Sequence, residues 1–202
     1  MTGDTKDTRT GGEAGKAAAG PGLRVIGLDL SLTSTGLACH CGIHRIKSHP
    51  RLEITRFSRL RIIALGVMHH VLGSPEICTP GQRADLVVVE DLALSRSTGQ
   101  HLTRAGLWHL VMNEVDNEGI PYVIVSPTSL KKYVTGRGNA GKDEVLAAAI
   151  RRWPDAPIHG NDEADAYALQ AMGLDYLGHP PAAMPQTHRA VLDAIHWPEV
   201  AR

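Results

Sequence analysis

The chain has 202 residues, 43% of them hydrophobic and 21% charged, and its 21 basic side chains balance 21 acidic ones. It is expected to be globular and soluble, and its total charge says nothing about a polyanionic partner. No apolar run reaches membrane-spanning length, the N-terminus lacks the apolar core of a secretory signal, and Cys39, Cys41 and Cys78 are too few for a disulfide framework, so a cytoplasmic location is expected.

Residues 1–21 are rich in Gly and Ala and low in hydrophobicity, which predicts a disordered tail. Val25, Ile26 and Leu28 then form a short apolar run, expected as a strand over about 23–28 and buried on both faces. The run ends on a carboxylate, Asp29, followed by turn chemistry at Ser31, Thr33, Ser34, Thr35 and Gly36. Strands over Leu37–Cys41 and Ile43–Ser48 are expected as an antiparallel meander around Gly42. Leu52, Phe57, Leu60, Ile63, Ala64, Val67 and Val71 recur at helical spacing, which predicts a helix from about Arg51 to Leu72, stopped by Gly73-Ser74-Pro75.

After a loop through Pro80-Gly81, Leu86-Val87-Val88-Val89-Glu90 reads as an inner strand of a parallel sheet, again ending in an acid. A helix over about 99–118 and a strand over 121–125 follow. Ser126-Pro127 has the form of an N-cap with Pro in the first helical position, opening a short helix through Tyr133. Gly136, Gly138 and Gly141 loosen the next loop, a helix runs from about Lys142 to Trp153, and the last core helix runs from near Asn161 to Gly178, a C-cap glycine. The remainder is rich in Pro and His, with a short helix expected near 189–195. This order of elements points to an α/β layered domain with a mixed central sheet. The expected division is a tail over 1–21, one domain over 22–178 and a C-terminal tail over 179–202.

The last helix carries the decisive pattern. Asp162 and Asp165 are three residues apart and share a face with Leu169, Met172 and Tyr176, so both carboxylates are expected to point inward. Unpaired buried carboxylates are costly and need cations or protons, although the helix dipole alone accounts for an acid in the first turn. With Asp29 and Glu90 on strand ends, four acids can converge on one crevice beside the sheet. Such an oxygen-rich set suits Mg²⁺ or Mn²⁺, and two ions per site fit phosphodiester hydrolysis.

Two basic stripes fit a phosphate-facing surface, and equally a solvated one. The first holds Arg45, Lys47, Arg51, Arg56, Arg59 and Arg61 against Glu53; the second holds Lys131, Lys132, Arg137 and Lys142. Glycines between the members of the second stripe let backbone approach a phosphate while the lysines neutralise it.

Several short motifs stand in order along the chain. They are Ile26-Gly27-Leu28-Asp29 with Thr35-Gly36, Val89-Glu90, Leu130-Lys131 through Val134-Thr135-Gly136 with Gly138, Ala140 and Lys142, and Asp162-Glu163-Ala164-Asp165-Ala166. On these residues, over about 23–178, the sequence resembles the RuvC-type Holliday-junction resolvases of the RNase H-like fold. The resemblance implies that Asp29, Glu90, Asp162 and Asp165 are the metal-binding catalytic acids. It also implies that Lys131 and Lys142 stand near the scissile phosphate. A homodimer is implied too, cutting four-way DNA junctions symmetrically with Mg²⁺ and leaving 5′-phosphate ends. One position departs from the pattern. Three residues after Glu90 the family places an aromatic that wedges into the junction, and here stands Ala93, which opens the substrate to flaps and forks.

Cys39-His40-Cys41 with His44 fits no usual zinc spacing, and strand alternation sends His40 to the opposite face from the cysteines. Trp108 is expected in the core or at a dimer contact, and Asp91 in solvent. Two other functions compete. One is a catalytically inactive junction-binding module on the same fold, against which retention of all four acids argues. The other is an ATPase of the sugar-kinase and actin kind, suggested by Asp29-Leu30-Ser31-Leu32-Thr33, but such enzymes need two lobes and this chain has length for one.

Overall fold

The computed structural model describes residues 22–48, 55–74, 82–92 and 100–200, with the Arg56 side chain excepted. The expected tail over 1–21, Arg51, Glu53, Cys78 and Ala93 therefore lie outside the described residues.

The elements are β1 (Val25–Asp29), β2 (Ser34–Cys39), β3 (Gly42–Lys47), α1 (Arg56–Leu72), β4 (Leu86–Glu90) and α2 (Gln100–Asn117). They continue with β5 (Tyr122–Val125), α3 (Pro127–Thr135), α4 (Lys142–Arg152), α5 (Asn161–Tyr176) and α6 (Gln186–Arg189). The sheet order is β3-β2-β1-β4-β5, with β1 antiparallel to β2 and β2 to β3, while β1–β4 and β4–β5 are parallel. This is the mixed α/β sheet expected from the pattern of apolar runs.

Alternation along β1 and β4 divides the core in two. Val25, Leu86 and Val88 pack among residues of α3, α4 and α5, whereas Ile26, Leu28, Val87 and Val89 pack among residues of α1 and α2. Local chemistry sets the helix ends. The Thr55 side chain accepts from Ser58 N to open α1, Gly73 closes it at φ 75°, and Ser126 caps α3 with Pro127 behind it.

Helix α5 lies closer to the sheet than ordinary side chains permit. A Cβ on Gly27 would meet the Ala166 carbonyl and the Gln170 amide, and one on Gly36 would meet the Asp162 carbonyl. Gly173 faces Val25 and Val88, where a Cβ would stand 2.6 and 2.7 Å from their methyl groups. These glycines set the depth of α5, and hence where its first turn meets the ends of β1 and β2. Gln170 ties the contact by donating to Val25 O at 3.1 Å.

The expected inward stripe of α5 holds at Leu169 and Met172, both fully buried, but Tyr176 is 40% exposed. Its ring stacks on Trp197 at 4.4 Å, because the C-terminal segment folds back onto the domain. Arg189 Nε donates to Asp175 at 2.8 Å, and the Tyr133 hydroxyl donates to the same carboxylate at 3.0 Å. Asp175 is fully buried, so these two donors supply the partners a buried carboxylate requires. No described helix is long and apolar enough to cross a membrane.

Candidate active site

Side-chain alternation carries Asp29 to the same face as Val25, and Glu90 to the face of Leu86 and Val88, toward α5. β1 and β4 are parallel neighbours paired through Leu28 and Val89, so the two acids leave adjacent strand ends one step beyond that pair. Gly36 is the antiparallel partner of Asp29, and the first turn of α5 rests on it. Asp162 is thereby held beside Asp29, with Asp165 one turn further along. All four acids line a single cleft of about 430 Å³ together with Ser31, Thr33, His101, Arg104, Lys131 and Lys142.

The carboxylates repel one another in a poorly solvated place. Burial, then the charges of Glu90, Asp165 and Asp162, push the Asp29 pKa up to about 8, against a pull from Arg104. Burial and Asp165 raise Glu90 to about 7 despite Arg104, Lys131 and Lys142. Asp165 rises to about 6, chiefly by burial, with Lys142 opposing. Burial is the first cause for all three, and Arg104, Lys131 and Lys142 offset it only in part.

The loop between β1 and β2 is fixed from inside. The fully buried Thr35 hydroxyl donates to Ser31 O at 2.8 Å and accepts from Ser31 N at 3.1 Å. Arg59 donates to Leu32 O and to the Ser48 hydroxyl, the latter at 3.0 Å, so this guanidinium braces the loop. Of the other basic residues singled out by sequence, Lys131 and Lys142 line the cleft, whereas Lys132 and Arg137 stand outside it. Arg137 is paired with Glu144, and Arg45 with Glu163 at 3.3 Å.

Helix α2 contributes residues that the sequence did not single out for the site. Arg104 and His101 line the cleft, and the Arg104 Nε is buried without a hydrogen-bond partner. Trp108, one turn on, donates from its indole to Glu90 O at 3.0 Å and fixes the end of β4. The signal was their spacing: positions 101, 104 and 108 share a helical face. Asp91 points to solvent and accepts from Leu92 N, as alternation predicts.

The cysteine segment gains a partner that is distant in sequence. Cys39, Cys41, His44 and His70 have donor atoms all within 4.8 Å of one another. His70, in the last turn of α1, supplies the member that no local spacing could reveal. Burial lowers the His44 pKa and, together with the His44 and Arg24 charges, takes His70 to about 4.

No protein-family model matches the chain. Among curated proteins it is 30% identical to the crossover junction endodeoxyribonuclease RuvC of Paenarthrobacter aurescens (strain TC1), over 73% of this chain and 78% of that one. A shorter stretch of 56 residues is 43% identical to the enzyme of the same name from Synechococcus sp. (strain CC9311), covering 27% of this chain and 35% of the other. Among solved structures, Thermus thermophilus RuvC matches with a TM-score of 0.58 at 20% identity, over 78% of this chain and 98% of that one. The same protein in complex with a Holliday junction substrate matches with a TM-score of 0.57 at 19% identity, over 81% and 100%.

The mixed sheet, its strand order and the helix laid across it therefore define an RNase H-like domain. With a relative this similar over most of both chains, the protein belongs to the RuvC family of crossover junction endodeoxyribonucleases.

Proposed function

We propose that the protein is a metal-dependent, structure-selective DNA endonuclease that cleaves Holliday junctions or related branched DNA. The observation that carries this reading is the meeting of Asp29, Glu90, Asp162 and Asp165 in one cleft with Lys131 and Lys142 on its wall. On this reading residues 22–178 form the nuclease unit, and the protein works in the cytoplasm as a homodimer, one site for each strand of a junction.

The residues fit a divalent cation. Their donors are all carboxylate oxygens, a hard set, and burial, with the charges of neighbouring acids, raises the pKa values of three of the four. Asp29, Glu90, Asp162 and Asp165 would hold Mg²⁺, or Mn²⁺ in its place, with two ions as the expected number. When bound, such ions neutralise phosphate charge and make a water acidic enough to attack phosphorus near neutral pH. The chain's own groups do the rest. Lys131 and Lys142 hold the phosphate backbone against the acids, and the Arg104 guanidinium, with a buried and unpartnered Nε, is placed to steady negative charge that develops there. The braced loop at Ser31–Thr35 forms one wall of the cleft.

The test is cleavage of labelled four-way junctions, flaps, forks and linear duplex by the purified protein with Mg²⁺ or Mn²⁺. Cuts restricted to branched substrates support the reading and identify which branch is preferred. Binding of junctions with every substrate left intact would favour the inactive binding module instead.

A further inference from the structure

The Cys39–His70 cluster stands apart from the acid cleft. Strand β2 runs antiparallel to β1, so it carries Cys39 toward the N-terminal end of β1, away from the Asp29 end. Cys39 closes β2, Cys41 sits in the tight turn, His44 follows on β3, and His70 reaches the turn from the end of α1. Nothing in the proposed nuclease reaction uses these four side chains.

Their chemistry is that of a ligand set. Two thiols and two imidazoles make the donor combination of a tetrahedral zinc site. In such a site, bond lengths near 2.3 Å to sulfur and 2.0–2.1 Å to nitrogen place the donors roughly 3.3–3.8 Å apart. The Cys41 Sγ to His44 Nε2 separation is already 3.4 Å, and the His44 and His70 rings are 4.4 Å apart between centroids. The Cys39 and Cys41 sulfurs, not joined as a disulfide, stand 2.7 Å apart. An ion seated between them would let them part by about 1 Å, to the tetrahedral spacing.

A second observation points the same way. His70 is buried, and its Nδ1 has no hydrogen-bond partner. An imidazole nitrogen left orphaned inside a protein is costly unless something else binds it. The Arg24 guanidinium donates to His70 O at 3.0 Å and so anchors the last turn of α1 beside the cluster. Exposed Cys41 leaves a path for an ion to enter.

We propose that Cys39, Cys41, His44 and His70 bind one zinc ion, which staples the β2–β3 hairpin to the C-terminal end of α1. The role is structural. All four positions of a tetrahedral ion are filled by protein, leaving none for a substrate.

The experiment uses the full chain, purified with reductant and without chelator, in a Cys78→Ser background so that thiolate signals report the pair alone. Metal content is measured by mass spectrometry, and Co²⁺ replaces zinc to give the absorption of a tetrahedral thiolate complex. About one zinc per chain is expected, with the cobalt–thiolate band lost and zinc affinity reduced at least about tenfold in Cys41→Ser and in His44→Asn. Cys41 is exposed and His44 half-buried, so neither replacement opens a cavity in the core. Zinc and the band should persist in Asp162→Asn, which separates this site from the acid cleft and lets the proposal stand or fall without the nuclease reading. Three results would overturn it: no retained zinc and no thiolate band in the reduced protein, zinc lost from Asp162→Asn but kept by Cys41→Ser, or a Cys39–Cys41 disulfide in place of bound metal.

Discussion

The two faces of the sheet are built on different terms. On the α5 face, Gly27 and Gly36 let a helix settle against the strands, and the residues that emerge at the strand ends are carboxylates without sufficient counter-charge. On the α1 and α2 face, the same strands present Ile26, Leu28, Val87 and Val89 to ordinary aliphatic packing, and the polar cluster lies at the opposite strand end, on Cys39 and His70. Both faces carry a buried apolar core, and the α5 face alone adds a charged cleft at the strand ends. The difference teaches that the acids cannot be a by-product of packing. A fold optimised for stability alone would not gather three carboxyl groups with raised pKa values at one edge.

The largest expected effect breaks this contrast at its centre. Asp29→Asn should reduce cleavage by two or more orders of magnitude, roughly the scale of losing a group that stabilises transition-state charge, while junction binding is kept. In metal-free protein at neutral pH the same change should raise the melting temperature, because an amide never bears the charge that burial, and then Glu90, oppose in the folded state. Loss of cleavage with an unchanged or lower metal-free melting temperature would mean that Asp29 is not held under repulsion.

The pH dependence sharpens the same point. A carboxyl group whose folded pKa is raised lends stability that is complete below its unfolded pKa and fades as pH climbs through the folded one. Asp165, Glu90 and Asp29, at about 6, 7 and 8, should therefore make chelated protein lose stability steadily between about pH 4 and pH 8. Added Mg²⁺ should recover more melting temperature at the alkaline end than at the acidic end. Thermal scans across that range with and without the ion are the check, and a flat metal-free profile would be the contrary result.

Next comes the contact that sets the depth of α5. Gly36→Val places a branched side chain against the Asp162 carbonyl, so helix and strand must separate. Overpacking of this kind costs about 1–3 kcal/mol. Denaturant unfolding should report that loss, and cleavage should fall with it because Asp162 and Asp165 move with the helix. An equal change at Gly106 of α2, where a Cβ meets only Leu60 at 3.8 Å, should leave cleavage close to wild type.

How much of this was legible in the sequence follows from the range of each signal. The strands and helices were readable because apolar periodicity is local, and the acids because each stands at the end of such a run or at a helix start. Arg104 and Trp108 were missed as site residues because their role depends on how α2 is rotated against β4, which no local pattern specifies. The same limit applied to His70, which completes its cluster only once α1 is packed on the hairpin. Arg59 stood in the sequence only as one member of a basic stripe; its bonds to Leu32 O and the Ser48 hydroxyl depend on how α1 packs against the β1–β2 loop, which no local pattern specifies.

Smaller effects separate the two lysines from the rest of the basic stripe. Lys131 and Lys142 line the cleft, whereas Arg137 is already paired with Glu144. Each phosphate contact removed should lower the slope of log affinity against log salt by about 1. Lys131→Ala and Lys142→Ala should each do so, and Arg137→Ala should change it less. Junction-binding titrations at several salt concentrations decide this, and equal slopes for all three variants would place the phosphates elsewhere.

The smallest expected effect concerns a bond that joins the aliphatic face to the acid edge. The Trp108 indole donates to Glu90 O at 3.0 Å, so α2 positions the very end of β4 from the opposite side of the sheet. Trp108→Phe keeps an aromatic ring and removes only the donor. A single hydrogen bond of this kind is worth about 0.5–1.5 kcal/mol net, which sets the expected loss of stability. If that bond also orients Glu90, cleavage should decline more than the stability change alone explains, and the Mg²⁺ concentration giving half-maximal rate should rise. A variant with lower stability but the same Mg²⁺ dependence would confine Trp108 to packing, and would leave α2 without a part in orienting Glu90.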